Sequence, residues 1–289
     1  MKKILALILC FSLIFAFAAC GNDTEPSTDS TPSTAAPIPG ITDFSATPSE
    51  GLAYDVNDDG VSCTVTGIGE CTDQYIYVGD EIDGYAVTAV GPAAFYCNPK
   101  IMGVQFGDSV TSVGDYAFFD CGSLKTVILG DGIITLGEYA FAGCKMKTIS
   151  IPETMETIAQ WAFYDCFLLE EVRISDLDRW LAISFGGSYA NPLQCAGSLY
   201  VDDVLLTELT IPQEQLRIGQ WAFAGCTSLT QVSFHENVAA ISQRAFMDCD
   251  NLKTILFAGT VDQWNALEKG SYWNFHLKDL IITCTDGEA

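Results

Sequence analysis

Six short segments of this chain share one pattern: AAFYCN at 93–98, YAFFDC at 116–121, YAFAGC at 139–144, WAFYDC at 161–166, WAFAGC at 221–226 and RAFMDC at 244–249. Their phenylalanines, Phe95, Phe118, Phe141, Phe163, Phe223 and Phe246, are separated by 23, 23, 22, 60 and 23 residues. A fixed period of this size marks a solenoid, because one such unit cannot bury its apolar face alone and must stack on its neighbours.

Each unit continues with the same apolar run: Leu124, Val127 and Leu129; Met146, Ile149 and Ile151; Leu169, Val172 and Ile174; Leu229, Val232 and Phe234; Leu252, Ile255 and Phe257. The last three residues of each run read as a short strand whose first and third side chains point inward, and successive strands stack into a parallel sheet. Val113, Leu136, Ile158, Ile218 and Ile241, each ahead of an Ala-Phe pair, supply the opposite wall of the core. The pattern C-x-x-L-x-x-V-x-I with a following A-F resembles the BspA-like, or Treponema-type, leucine-rich repeats of bacterial surface proteins, over residues of roughly 85–257. The resemblance implies a right-handed superhelix with one short parallel β-strand plus a turn or short helix in each ~23-residue repeat. It also implies a role in attachment at the cell surface. Asn98 replaces the cysteine in the first repeat, with Cys97 one place early, and the third repeat lacks one residue before Met146.

The chain opens with Lys2 and Lys3, an apolar run from Ile4 to Phe17, and then Ala18, Ala19 and Cys20. That order predicts an export signal over residues 1–19, its apolar run shorter than the ~20 residues of a membrane-spanning helix. The stretch FAACG resembles a bacterial lipobox, which implies lipid attachment at Cys20 and an extracytoplasmic protein held on the membrane by that anchor only. Residues 20–50 are rich in Ser, Thr, Pro and Asp and predict a disordered linker. Residues 51–84, with alternation at Val61, Cys63 and Val65 and again at Tyr75 to Val78, predict a capping hairpin. The solenoid then fills 85–289, with an insertion at 175–212 and a C-terminal cap at 258–289. Within the insertion Asp178 to Phe185 predicts a short helix, and LYVDDVLL a hairpin turning at Asp202 and Asp203. Trp180 and Trp264 are expected to cover matching ends of the core.

The whole chain carries 13 basic and 37 acidic side chains, a formal charge of −24, and loss of residues 1–19 takes this to 11 − 37 = −26. So acidic a chain makes nucleic acid an improbable partner. Among the 12 cysteines, Cys121, Cys144, Cys166, Cys226 and Cys249 recur at one place per repeat. In a row about 4.8 Å apart with parallel Cβ vectors they predict buried free thiols, because a disulfide needs Cβ atoms about 3.5–4.5 Å apart. A Cys63–Cys71 pairing stays open. DVNDDG at 55–60 matches the opening of a calcium loop, but Thr66 stands where the bidentate Glu belongs, so a hairpin turn is expected and no metal or other cofactor. His235 and His276 stand in no catalytic spacing, and GGSYA at 186–190 lacks the nucleophile-elbow pattern, so no enzyme is expected.

Two surfaces are candidates for ligand contact. Tyr116, Tyr139, Trp161 and Trp221 precede the Ala-Phe pair and are expected to form a column, either stacking on sugar rings or shielding the core margin with one edge in water. The outward strand positions Gln105, Ile128, Ser150, Arg173, Ser233 and Leu256 form the other. The expectation is a monomeric, non-catalytic module binding an extracellular protein or glycan. The alternatives are a structural or peptidoglycan-associated envelope protein and a carbohydrate-capturing lipoprotein.

Overall fold

The computed structural model describes Phe44 and residues 47–289. Cys20, the export signal and most of the linker lie outside the described residues.

The repeat winds into coils, each placing one strand on each of two walls. One wall carries Tyr75–Val78, Gly103–Phe106 and Thr126–Ile128, then Thr148–Ser150, Glu171–Ile174 and Leu199–Val201. Paired strands run parallel and in register, with Val104 beside Val127 and Ile149 beside Val172. Val127 and Leu129 are buried while Ile128 between them is not, so alternation sets the inward face. The ladder is interrupted between Thr126–Ile128 and Thr148–Ser150, where a residue is missing before Met146. A second stretch of the same wall runs through Glu208–Thr210, Gln231–Phe234, Thr254–Phe257 and Ile281–Cys284. The opposite wall uses two-residue strands such as Ser112–Val113, Thr135–Leu136 and Thr157–Ile158, whose Val113, Leu136 and Ile158 are buried.

Between the walls the core phenylalanines lie in file. Ring centroids of Phe95 and Phe118 are 4.8 Å apart, those of Phe118 and Phe141 5.3 Å, and those of Phe223 and Phe246 5.4 Å, all stacked. Around them the backbone alternates its hydrogen bonds. Tyr116, Phe118 and Asp120 donate their amides to Glu138, Ala140 and Ala142 of the next coil, while Ala117, Phe119 and Cys121 close turns inside their own coil. This alternation goes with two left-handed residues per coil. The first is Tyr116, Tyr139, Trp161, Trp221 or Arg244, at φ of 58°, 55°, 62°, 65° and 57°; the second is Asp120, Gly143, Asp165, Gly225 or Asp248. Asp and Gly accept that conformation readily, whereas a bulky side chain is strained by it.

The cysteine row is buried and free of disulfides among the described residues. Cys121, Cys144, Cys166 and Cys249 each donate the thiol to the carbonyl of the core phenylalanine one coil earlier, at 3.1 to 3.2 Å. Cys63 and Cys71 are also free.

Three sequence expectations change. Val61 to Val65 and Tyr75 to Val78 do not pair in one hairpin: Ser62–Gly67 pairs antiparallel with Ala53–Val56, and Tyr75–Val78 pairs parallel with Gly103–Phe106. The reason is that the two segments belong to opposite walls. The DVNDDG segment forms a hairpin turn as expected, between Ala53–Val56 and Ser62–Gly67, where the Asp59 carboxylate accepts from the amides of Val61 and Ser62 and from the Ser62 hydroxyl. The helix expected over Asp178 to Phe185 also shifts: α1 (Leu177–Ala182) stops before Ser184–Phe185, which leaves as a strand pairing with Thr157–Ile158. Asp176 caps it by accepting from the Asp178 and Arg179 amides. Finally, the 60-residue step hides a coil of its own. Asn191 takes the place of the core phenylalanine, fully buried, donating to the carbonyls of Trp221 and Ala222, and Cys195 donates to Phe163 as the other thiols do to theirs. The hairpin turning at Asp202 and Asp203 closes it, both residues at positive φ as a two-residue primed turn requires. Trp180 and Trp264 are buried as expected, and Trp180 Nε1 donates to the Ala222 carbonyl.

Burial pushes the Cys121 thiol up from 9.0 to about 12, and the Cys144 thiol well above its ordinary value. An unfolded chain releases these protons near pH 9 while the folded one holds them, so stability is complete below pH 9 and is lost as pH climbs toward 12. In urea unfolding at pH 8 and pH 10.5, native protein should lose about 2 kcal/mol more than Cys144→Ala between the two pH values. Equal losses would show that Cys144 is not held protonated by the core.

Candidate functional site: an exposed aromatic face

The left-handed residues that begin each Ala-Phe turn project from the corner of their coil, and stacking brings neighbouring ones together. Tyr116 and Tyr139 are stacked with centroids 5.0 Å apart, and Tyr139 and Trp161 likewise at 5.0 Å. Trp221 does not join them. It is buried, lies beyond the extra coil, and is covered by the Arg244 guanidinium 4.7 Å from its ring centre. Arg244 also stands 5.5 Å from the Tyr272 ring, so in the second half of the chain the file reads Trp221, Arg244, Tyr272. The Trp221 Nε1 is buried without a hydrogen-bond partner among the described residues.

A second file, which sequence reasoning missed, runs beside the first. It comes from the residue directly after each core phenylalanine: Tyr96, Phe119 and Tyr164. Tyr96 and Phe119 stack at 5.2 Å; Phe119 and Tyr164 meet Tyr139 edge-on at 6.0 and 6.4 Å; Tyr164 meets Tyr189 edge-on at 5.3 Å. The signal was present in the AAFYCN, YAFFDC and WAFYDC segments, where an aromatic residue follows phenylalanine. Tyr96, Tyr116 and Tyr164 keep 37%, 38% and 42% of their surface in water. Tyr139 and Trp161 are half-buried, so the face both shields the core margin and offers rings to solvent.

The outward strand row is less available than its sequence implied. Ser150 is buried. Arg173 is committed: its guanidinium bonds Glu171 at 2.8 Å and Asp203 at 2.5 Å and lies 4.8 Å from the Tyr200 ring, pinning the 199–205 hairpin to the sheet. Gln105, Ile128, Ser233 and Leu256 face outward, with Leu256 exposed.

A profile of the BspA type leucine rich repeat region matches residues 88–186 and 197–283 in six copies. The chain belongs to this family of BspA-type leucine-rich-repeat proteins. The gap between the two matches falls on the corner where Asn191 replaces phenylalanine. Among solved structures, a Treponema pallidum leucine-rich-repeat protein is 22% identical, aligning 81% of this chain with 91% of its own at a TM-score of 0.46. A leucine-rich cell surface protein of Faecalibacterium prausnitzii is 17% identical over 76% of this chain and 96% of its own, at 0.34. A Bacteroides capillosus leucine-rich-repeat protein is 28% identical over 44% and 95%, at 0.35. No curated protein matches the sequence. Among the described residues no helix is long and apolar enough to cross a membrane.

Arg244 tests how well this BspA-type corner holds a cation. Replacing it with Ala removes the guanidinium from between Trp221 and Tyr272 without changing the backbone preference, and should lower stability by about 1–2 kcal/mol. Thermal and urea unfolding measure this. A loss no larger than that of an exposed Lys→Ala control would mean the stacking contributes nothing.

Proposed function

We propose that this BspA-type protein is a non-catalytic binding module, anchored through a lipid on Cys20 and displayed outside a bacterial cell, where its solenoid engages a protein or glycan ligand for adhesion or cell–cell contact. The observation that carries the binding reading is the aromatic face. Tyrosine and tryptophan presented together at a water-exposed surface are the side chains that dominate recognition energy, and a sequence that needed only to shield its core would have no use for a second exposed file. The FAACG segment and the linker after it support display at a distance from the membrane. The same rings also favour a second reading, capture of a carbohydrate, because sugar rings stack on aromatic faces.

Display is tested on intact cells. External protease should remove the protein while a cytoplasmic marker survives; mass spectrometry of the membrane fraction should find diacyl or triacyl Cys20; and Cys20→Ser should release the protein from membranes. Complete protection from protease, or an unmodified amino terminus elsewhere, would overturn display and anchoring.

A further inference from the structure

The chain itself shows what this corner of the coil accepts. In the second half, the left-handed position of one coil is arginine, and its guanidinium stacks on the ring of the coil before and faces the ring of the coil after. In the first half, the same position runs Ala93, Tyr116, Tyr139, all left-handed at φ of 55°, 58° and 55°. Tyr116 is stacked on Tyr139, so its other ring face is directed to the coil of Ala93, which is exposed and carries only a methyl group there. Among the described residues, the ring face that Arg244 meets in one half of the molecule therefore meets no guanidinium in the other; Tyr116 stays 38% exposed, with Phe119 tilted against it at 5.7 Å.

The surroundings select for positive charge. Asp115 and Glu138 directly precede Tyr116 and Tyr139, and Asp120 follows Phe119; all three are exposed. No lysine or arginine occupies the equivalent places in the coils of Ala93, Tyr116, Tyr139 or Trp161. Rings attract cations through their faces, and neighbouring carboxylates add to that attraction while repelling anionic sugars. A neutral glycan would use the rings but gain nothing from the charge of the carboxylates, one of which, Asp115, also accepts from the Glu138 amide.

We propose that the face of Tyr116 directed to Ala93, with Ala93 as its floor and Asp115, Asp120 and Glu138 around it, is a docking site for an arginine- or lysine-bearing segment of a partner protein, the cationic side chain meeting the ring as Arg244 meets Tyr272. This deepens the binding reading above and rests on it.

The test uses the full chain and two probes: a dodecapeptide alternating arginine with glycine, and the same peptide with citrulline replacing arginine, which keeps shape and hydrogen bonding but not charge. By calorimetry the arginine peptide should bind at least tenfold more tightly than the citrulline one. Tyr116→Asn, which keeps a residue tolerant of the left-handed conformation, should weaken arginine-peptide binding at least fivefold, whereas Glu208→Gln, at an exposed carboxylate of the wall strand Glu208–Thr210, should leave it within twofold. Should Tyr116→Asn fail to fold, Ala93→Arg serves: a built-in guanidinium over Tyr116 should block the peptide to a similar degree. Equal binding of the two peptides, equal weakening by Glu208→Gln, or no effect of Ala93→Arg would each overturn the proposal. So would neutral oligosaccharides binding in a Tyr116-dependent way with no affinity for the peptide, although that result would leave display and binding intact. Protection from external protease on cells would defeat the display reading whatever the peptide does.

Discussion

Everything in this fold depends on one coil finding the next. Wherever the repeat is regular the contact is made in the same way: phenylalanine rings overlap in file, the thiol reaches back to the carbonyl of the preceding phenylalanine, and alternate amides of the turn cross to the following coil. Neither these thiols nor these crossing amides bond within their own repeat. A coil alone would leave its ring half-covered and its thiol and alternate amides without protein partners, so stability resides in the interfaces between coils rather than in the coils. The strain of placing Tyr, Trp or Arg in the left-handed region is accepted because that conformation turns the amides toward the neighbouring coil. Cysteine suits its place because it is small, apolar and still able to donate one weak hydrogen bond.

Where the interior changes, the chain compensates. Asn191 stands where a phenylalanine would, and a buried amide would be costly there without partners. It has them: its nitrogen reaches the carbonyls of Trp221 and Ala222, and its oxygen accepts from the Leu193 amide. Trp180 adds a further bond to Ala222. The two stretches of solenoid that the family profile matches separately are thus held together by a polar joint at the point where the regular ring stack is missing. Cys226, next after this joint, has no phenylalanine carbonyl one coil back and lies instead 3.5 Å from the Ser228 hydroxyl.

The strands, the inward row of Val and Ile, the opposite wall and the free thiols were all legible in the sequence because period and side-chain size determine them. The joint was not, since Asn191 and the lengthened turn before Cys195 break the very pattern by which a coil is recognised. Nor was the first hairpin: alternation at 61–65 and at 75–78 is the same signal whether the strands pair with each other or sit on opposite walls. For the aromatic face, spacing placed Tyr116, Tyr139 and Trp161 in one column, but it could not tell that the extra coil would carry Trp221 away from them, or that Arg244 would cover it. Two members of the outward row, Ser150 and Arg173, depart from it for a similar reason, because neither the burial of Ser150 nor the two carboxylates around Arg173 can be read from position within a strand.

The account stands or falls on whether neighbouring coils stabilise one another through their shared interior. A double-mutant cycle on Phe118 and Phe141, using Phe→Leu at each and urea unfolding of the single and double variants, measures that directly. Stacked rings in adjacent coils should give a coupling of about 0.5–1.5 kcal/mol. Additivity within about 0.3 kcal/mol would contradict it, placing the two rings in environments that do not sense each other.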